Sequence, residues 1–339
     1  MKTMGKAWFG AVLSFVATVP PAAASVVNVY TNREPGQYSA TLDEFTKATG
    51  IKVNAIFSEQ GLAERIAAEG DRSPADVLIT VDIGRLQQAI DLGVSQPIRS
   101  SAIDEVVPRN LHDAGDMWTA LSARARMIYT AKDRVSDAAL TYEGLADPRW
   151  KGKLCTRSFQ HPYNTALTAA MIVKHGDAKT KEWLQGVKAN LAKKPSGGDR
   201  DVAKDIAAGV CDVGLGNSYY VGLMTNSSNP DQKTWAAAIR PVLPTFTDGG
   251  TQVNVSGAAI ARHAPNRDNA LKLIEYMVSP DAQRVFADVN YEYPVRSGVP
   301  VNPLIASFGT LKPDPMKLSD VAKARKRASE LVDEVAFDR

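Results

Sequence analysis

Val26-Val27-Asn28-Val29-Tyr30 runs directly into Thr31-Asn32-Arg33-Glu34-Pro35-Gly36. The first five residues are of the buried-strand type, and the next six are rich in turn formers. The order of the elements beyond this turn decides the fold. A helical pattern puts Leu42, Phe45 and Thr46 on one face and is stopped by Gly50. Residues 51–57 read as a second strand, Ser58-Glu59-Gln60-Gly61 as a turn, and 62–68 as a helix. Residues 75–80 form a third expected strand, and 83–92 a third helix closed by Gly93. Strands and helices that alternate in this way specify a parallel sheet with helices on both faces. The expected fold class is α/β.

Upstream of Val26, Lys2 and Lys6 precede an apolar run from Ala7 to Val19, and Pro20-Pro21-Ala22-Ala23-Ala24-Ser25 supplies small residues. This is the pattern of a secretory signal cleaved after Ala24, and the run is too short to span a bilayer. Residues 1–24 are therefore expected to be removed, leaving an exported, periplasmic chain that does not itself cross the membrane. Removing them takes away two lysines and no acid, so 38 basic residues face 37 acidic ones. A nearly neutral surface gives no reason to expect a nucleic-acid partner. Cys155 and Cys211 are the only cysteines. In an exported chain they are disulfide candidates, with two buried free thiols as the alternative.

Downstream, residues 121–129 alternate well enough to be a strand that crosses to a second lobe. That lobe carries a short strand at 153–156, a helix from near Asn164, a helix at 202–208 capped by Asp199, and a strand at 211–214. Residues 252–261 return to the first lobe. The expected division is 25–124 plus 252–300 for the N-terminal lobe, 125–251 for the C-terminal lobe, and 301–339 as a helical segment on a lobe. Within that last segment, 319–335 reads as one basic amphipathic helix. Two lobes, each with a mainly parallel sheet, joined by two hinge crossings, make the closing cleft of an exported solute receptor, with ligand held at strand C-termini and helix N-termini. A chain of 339 residues suits two cores.

Three loops at that cleft carry chemistry: residues 156–164 with Tyr163, Asn217-Ser218-Tyr219-Tyr220, and Tyr30-Thr31-Asn32-Arg33-Glu34. Adjacent side chains on a strand point to opposite faces, so Tyr219 and Tyr220 converge only if the chain leaves the strand at the glycines and Asn217. A phenol ionises near pH 10, and a trivalent cation stabilises phenolate directly. Fe(III) is hard and prefers anionic oxygen, and three phenolates neutralise it. Six-coordination then calls for a further oxygen donor. Arg33 suits a bound carbonate or citrate, with Arg124 and Arg126, two apart on one strand face, as assisting groups. His161 is a candidate metal ligand, though it reads more readily as a donor behind the ligands or a plain loop residue. Architecture alone leaves sugars, oxyanions and polyamines open, with the tyrosines as non-metal contacts. An enzyme is not expected. The chain has no Gly-x-Ser-x-Gly, no His-Glu-x-x-His and only four scattered histidines.

These residues resemble a family, the periplasmic ferric-iron-binding proteins of bacterial ABC transporters, from Val27 to about Val299. The likeness rests on Val29-Tyr30-Thr31-Asn32-Arg33-Glu34-Pro35, Ser122-Ala123-Arg124-Ala125-Arg126 and Trp150-Lys151-Gly152-Lys153-Leu154-Cys155. It rests also on His161-Pro162-Tyr163-Asn164, Asp199-Arg200-Asp201, and Cys211-Asp212 leading to Asn217-Ser218-Tyr219-Tyr220. The resemblance implies that Tyr163, Tyr219 and Tyr220 ligate Fe(III), that Cys155 bridges Cys211, and that a monomer hands iron to a permease and ATPase. Some relatives add a His-Tyr pair from the first loop. Here Glu34-Pro35 stands in its place, so the N-terminal lobe is expected to supply no phenolate, and either an anion near Arg33 or Glu34 completes the shell.

Overall fold

A computed structural model describes residues 25–136 and 139–339. The expected signal segment, 1–24, lies outside the described residues. Among the described residues ten strands form one sheet along the path β2-β1-β3-β9-β5-β7-β6, with β4 and β10 added on the N-terminal side and β8 on the C-terminal side. They are β1 Val26–Thr31, β2 Lys52–Phe57, β3 Val77–Thr80, β4 Ser95–Gln96, β5 Thr119–Ala131, β6 Leu154–Cys155, β7 Val213–Asn217, β8 Ile239–Val242, β9 Val253–Ala261 and β10 Tyr293–Pro294.

The N-terminal strands follow from alternation. Val27 and Val29 share a core with Tyr38, Leu42 and Phe45 of the helix Ser39–Thr49 and its lead-in. Tyr30 and Leu78 turn to the other face, against Leu62, Ala63 and Ile66 of the helix Leu62–Glu69. One strand thus feeds two helical layers, as a period of two requires. Gly50 ends the first helix with φ of 73°, a left-handed conformation that glycine adopts without a Cβ penalty.

The two-lobed α/β fold is as expected, but the sheet is more mixed than a mainly parallel one. β1 pairs in parallel with β2 and β3, and β6 with β7. The crossing strands pair antiparallel with everything they meet. β9 runs against β3, and β5 runs against β9 in its first half and against β7 and β8 in its second. The cause is the hinge itself. A 13-residue strand, buried throughout, that passes between lobes enters each sheet opposite to the strands that feed helical crossovers. The lobes therefore share one backbone ladder through β5.

The C-terminal segment also departs from expectation. It breaks at Ala324 into helices Leu318–Lys323 and Arg325–Glu334, with Val321, Leu331 and Val332 buried. Rather than lying on one lobe, it touches both. Arg325 lies across Gly84, where any Cβ would collide with its side chain, and its Nε is 3.9 Å from Asp82. Phe337 packs on Phe159 with ring centroids 4.0 Å apart. The break lets one segment follow two surfaces. Among the described residues no helix is long and apolar enough to cross a membrane.

Candidate metal centre in the interlobe cleft

A cleft of about 890 Å³ is lined from the N-terminal lobe by Asn32, Glu34, Phe57, Glu59 and Arg85, and from the C-terminal lobe by Arg157, His161, Tyr163 and Tyr220. A second cavity, about 510 Å³, lies against the crossing strands near Ala123, Val253, Tyr293 and Leu318 and contains none of the three tyrosines.

Tyr163 is brought to the cleft by the start of the helix Pro162–Ala189. The sequence pattern puts that helix two residues later, but Pro162 takes the first helical position and His161 caps it, its Nδ1 accepting from the Tyr163 amide at 3.3 Å. The cap is local, but the support comes from far along the chain. Asp338 accepts from the amides of Phe159 and Gln160 and from Ser158 Oγ, at 2.9, 3.1 and 2.7 Å.

Tyr219 and Tyr220 converge because β7 ends at Asn217 and a helix, Ser218–Thr225, begins at once. Their ring centroids are 4.4 Å apart. Gly216 makes the approach possible, since a Cβ there would run into the ring of Tyr129, whose hydroxyl donates to the Asn217 carbonyl at 2.5 Å. The Tyr163 and Tyr219 hydroxyls are 3.0 Å apart. Tyr163 and Tyr220 face the cleft, while Tyr219 sits behind them, 5% exposed.

Burial pushes the Tyr219 phenol well above its ordinary range, and Tyr163 and Tyr220 beside it add to the shift. Burial likewise raises Tyr220. Both are neutral at pH 7 unless a cation takes the place of their protons. His161 is driven down to about 3 by burial and then by the Arg157 charge, so it is a neutral acceptor. Among the described residues no group of three or more His, Cys, Asp and Glu side chains is placed to hold a metal ion. A hard cation bound here has the phenols to use.

Arginines surround those phenols. Arg124 and Arg157 lie over the Tyr163 ring at 5.4 and 5.1 Å, and Arg200 over Tyr220 at 4.8 Å. Of the three expected anion-binding arginines, none presents a free fork. Arg33 is 1% exposed and pairs with Glu292, Nη2 to Oε2 at 2.7 Å, with its guanidinium over Phe286. A buried carboxylate has taken the role expected of an exogenous anion. Arg124 donates to the Val81 carbonyl and stands 4.0 Å from Asp82. Arg126 is bound to Asp199 at 2.6 Å and to Asn164 and Asn217. Glu34 is at the cleft wall, exposed. Tyr30, expected in the same loop, is still in β1, turns away and donates to Glu69.

Sequence reasoning misses Arg85, Arg157, Arg200 and Arg325, because an arginine beside a loop carries no sign of where its long side chain ends. It also misplaces Asp199. The helix Asp199–Ala207 is capped at Gly198, whose amide bonds Asp201, and the Asp199 carboxylate points inward. Burial opposes its charge, but Arg126 and Arg157 outweigh that and hold it below the usual carboxylate range. Cys155 and Cys211 form a disulfide that joins the bases of the two tyrosine loops.

Residues 31–284 match the family profile of bacterial extracellular solute-binding proteins. The chain is 40% identical over 328 residues to iron uptake protein A2 of Synechocystis sp., covering 95% of this chain and 94% of that one. It is 56% identical to a solved Bordetella ferric binding protein, with a TM-score of 0.87 over 93% of this chain and all of the other. A Trichodesmium protein solved in complex with iron and citrate ligands is 40% identical, with a TM-score of 0.88 over 92% and 100% of the two chains. The chain belongs to the bacterial extracellular solute-binding protein family and groups there with iron-uptake and ferric-binding proteins.

Proposed function

We propose that this chain captures Fe(III) in the periplasm with the phenolates of Tyr163, Tyr219 and Tyr220 and delivers it, as a monomer, to the permease and ATPase of an ABC importer. The observation that carries the reading is the convergence of three phenols from two loops beneath a ring of arginines, in a site without a competing imidazole or carboxylate cluster among the described residues. Three phenolates cancel the charge of the cargo, and Arg124 and Arg157 partly offset the cost of ionising the buried Tyr219 and Tyr220. The relatives named for iron support the same cargo.

The remaining coordination positions call for small oxygen donors. Arg33 and Arg126 are committed to carboxylates, so Arg85 is the better candidate for holding carbonate or citrate. It lines the cleft from the N-terminal lobe, and among the described residues its guanidinium has no hydrogen-bond or ion-pair partner. Glu34 remains the alternative donor from that lobe. No catalytic step is assigned to the cleft.

The test is the visible spectrum of protein loaded with Fe(III), with and without bicarbonate or citrate. A phenolate-to-iron charge-transfer band is expected, and it should be lost in Tyr219→Phe/Tyr220→Phe. If the double variant binds iron as tightly as the unaltered protein, the ligand set is wrong. Calorimetry in iron-free buffer distinguishes a receptor for a different solute.

A further inference from the structure

The three tyrosines come from two loops far apart in the chain, yet their hydroxyls and rings stand within contact of one another. One side chain links the bases of both loops. Arg126, 1% exposed on β5, lies directly opposite Asn217 in the β5–β7 register. Its Nε and Nη2 donate to Asn164 Oδ1 at 3.2 and 2.6 Å, and Asn164 is the residue after Tyr163. Its Nη1 donates to Asn217 Oδ1 at 3.0 Å, and Asn217 is the hinge between β7 and the helix that carries Tyr219 and Tyr220. The same Nη1 donates at 2.6 Å to Asp199 Oδ2, which accepts the Asn217 amide at 2.8 Å. The other oxygen of Asp199 accepts from Arg157, the arginine over the Tyr163 ring, at 3.3 Å.

We propose that Arg126 is the positioning residue of the phenolate site: its planar fork, locked by Asp199, holds the Tyr163 loop and the Tyr219-Tyr220 loop at the separation that a single metal ion spans. The proposal rests on the phenolate reading of the cleft. It gives this arginine a role that differs from anion binding, since four of its five N–H groups are engaged by Asn164, Asn217 and Asp199. Arg126 does not touch the cargo. It acts through Asn164 and Asn217, each within a few residues of a phenol. A fork is needed for this task because it makes bonds in two fixed directions at once, which an ammonium cannot reproduce. β5 also continues to Arg124, which bonds the Val81 carbonyl of the N-terminal lobe, so the frame that sets the phenols is continuous with the hinge.

The experiment compares unaltered protein, Arg126→Lys and Asn217→Ala in Fe(III) titrations read by the charge-transfer band, with far-UV circular dichroism and melting as controls. Lysine keeps the buried charge opposite Asp199 but loses the fork. Asn217→Ala leaves the Arg126–Asp199 pair intact and is mild, since among the described residues Asn217 Nδ2 has no hydrogen-bond partner. Expected are native dichroism, a displaced and weakened band, and a dissociation constant raised about ten- to a hundredfold, the range for residues that orient metal ligands. A lower melting point with an unchanged band and affinity would mean that Arg126 serves stability alone, and the proposal falls. If Arg126→Lys does not fold, Asn217→Ala decides by the same two outcomes. A band absent from the unaltered protein overturns the phenolate reading and this proposal with it, whereas a normal band there and in the variants overturns the positioning role only.

Discussion

The hydroxyl oxygens of Tyr163 and Tyr219 stand 3.0 Å apart, although 56 residues separate them along the chain. At that distance one phenol donates to the other, so at most one proton lies between them. Two phenolates so close repel unless a cation sits beside both. The arrangement is stable as a hydrogen bond or as a metal chelate, and unfavourable as two bare anions. Tyr163→Phe and Tyr219→Phe should therefore each lower Fe(III) affinity by on the order of a hundredfold or more, while leaving the apo fold intact. The double variant should lose less than the product of the two, because the two phenols act as a unit. Titration against a competing chelator measures all three.

The same burial sets the pH dependence. Tyr219 and Tyr220 are raised above the ordinary phenol range by burial, so binding must displace their protons, and acid competes for the site. Iron affinity should fall steadily as pH is lowered from 7, with proton release on loading visible in weakly buffered solution. Affinity that holds in strong acid would contradict the ligand set. The apo protein is instead sensitive to base. A phenol whose ionisation is raised by folding favours the fold fully below about pH 10, its unfolded value, and this contribution is lost as pH climbs through the folded value. Melting of the apo protein should therefore drop above about pH 10, and by less in Tyr219→Phe.

Most of this site is legible in the sequence because it is built from local signals. Strand endings, a Pro at a helix start and a small-residue run before two tyrosines each mark a loop at the cleft. The lobe order follows from the spacing of strands and helices. The ends of long charged side chains are not legible. Arg33 reads as an anion ligand because its loop lies at the cleft, yet its partner Glu292 is 259 residues away and enters from beside β10. Asp199 reads as a helix cap because it precedes a helical run, but a glycine supplies that cap. Asp199 turns inward because the buried guanidinium of Arg126 and the half-buried one of Arg157 need a counter-charge. The antiparallel entry of β5 and β9 is hidden for a related reason, since pairing direction is a property of the whole sheet and not of either strand.

Arg33 and Glu292 form a buried pair whose worth can be measured apart from the site. Removing one partner of such a pair leaves the other uncompensated, at a cost of about 3–5 kcal/mol. Arg33→Met should thus destabilise the apo protein by about that amount, and Arg33→Met/Glu292→Met should restore much of it. In the double variant, iron affinity and its response to bicarbonate should match those of the unaltered protein. An anion effect that disappears with Arg33 would return this residue to the site. Denaturant melts and iron titrations of the same samples check both halves.

The Cys155–Cys211 bridge closes a loop with a sequence separation of 56 and ties β6, below the Tyr163 loop, to the start of β7, below Tyr219 and Tyr220. By chain-entropy reasoning a loop of that size is worth about 4 kcal/mol. Cys155→Ser/Cys211→Ser should lower stability by up to that amount. Because the bridged strands pair directly, Cys155 opposite Gly214, the loops above them should keep their order once folded. Iron affinity at low temperature should consequently change by only a few-fold, whereas the melting point falls sharply.

A support also reaches the site from the opposite end of the chain. Asp338 accepts three hydrogen bonds from Ser158, Phe159 and Gln160, and Phe337 stacks on Phe159, so the 158–160 turn is held from outside the cleft. That turn leads in three residues to Tyr163. Asp338→Asn keeps the shape but replaces charge-assisted acceptance by a neutral one and brings a donor group against one of the two backbone N–H groups. The expected cost is about 1–3 kcal/mol, the range for buried groups left without a partner. Part of it should appear as a several-fold faster release of iron, because the Tyr163 loop then opens locally more often than the lobe unfolds. Hydrogen exchange at the amides of Phe159 and Gln160 should accelerate in parallel. Faster exchange with unchanged iron release would show that the turn is braced for stability and not for the cargo.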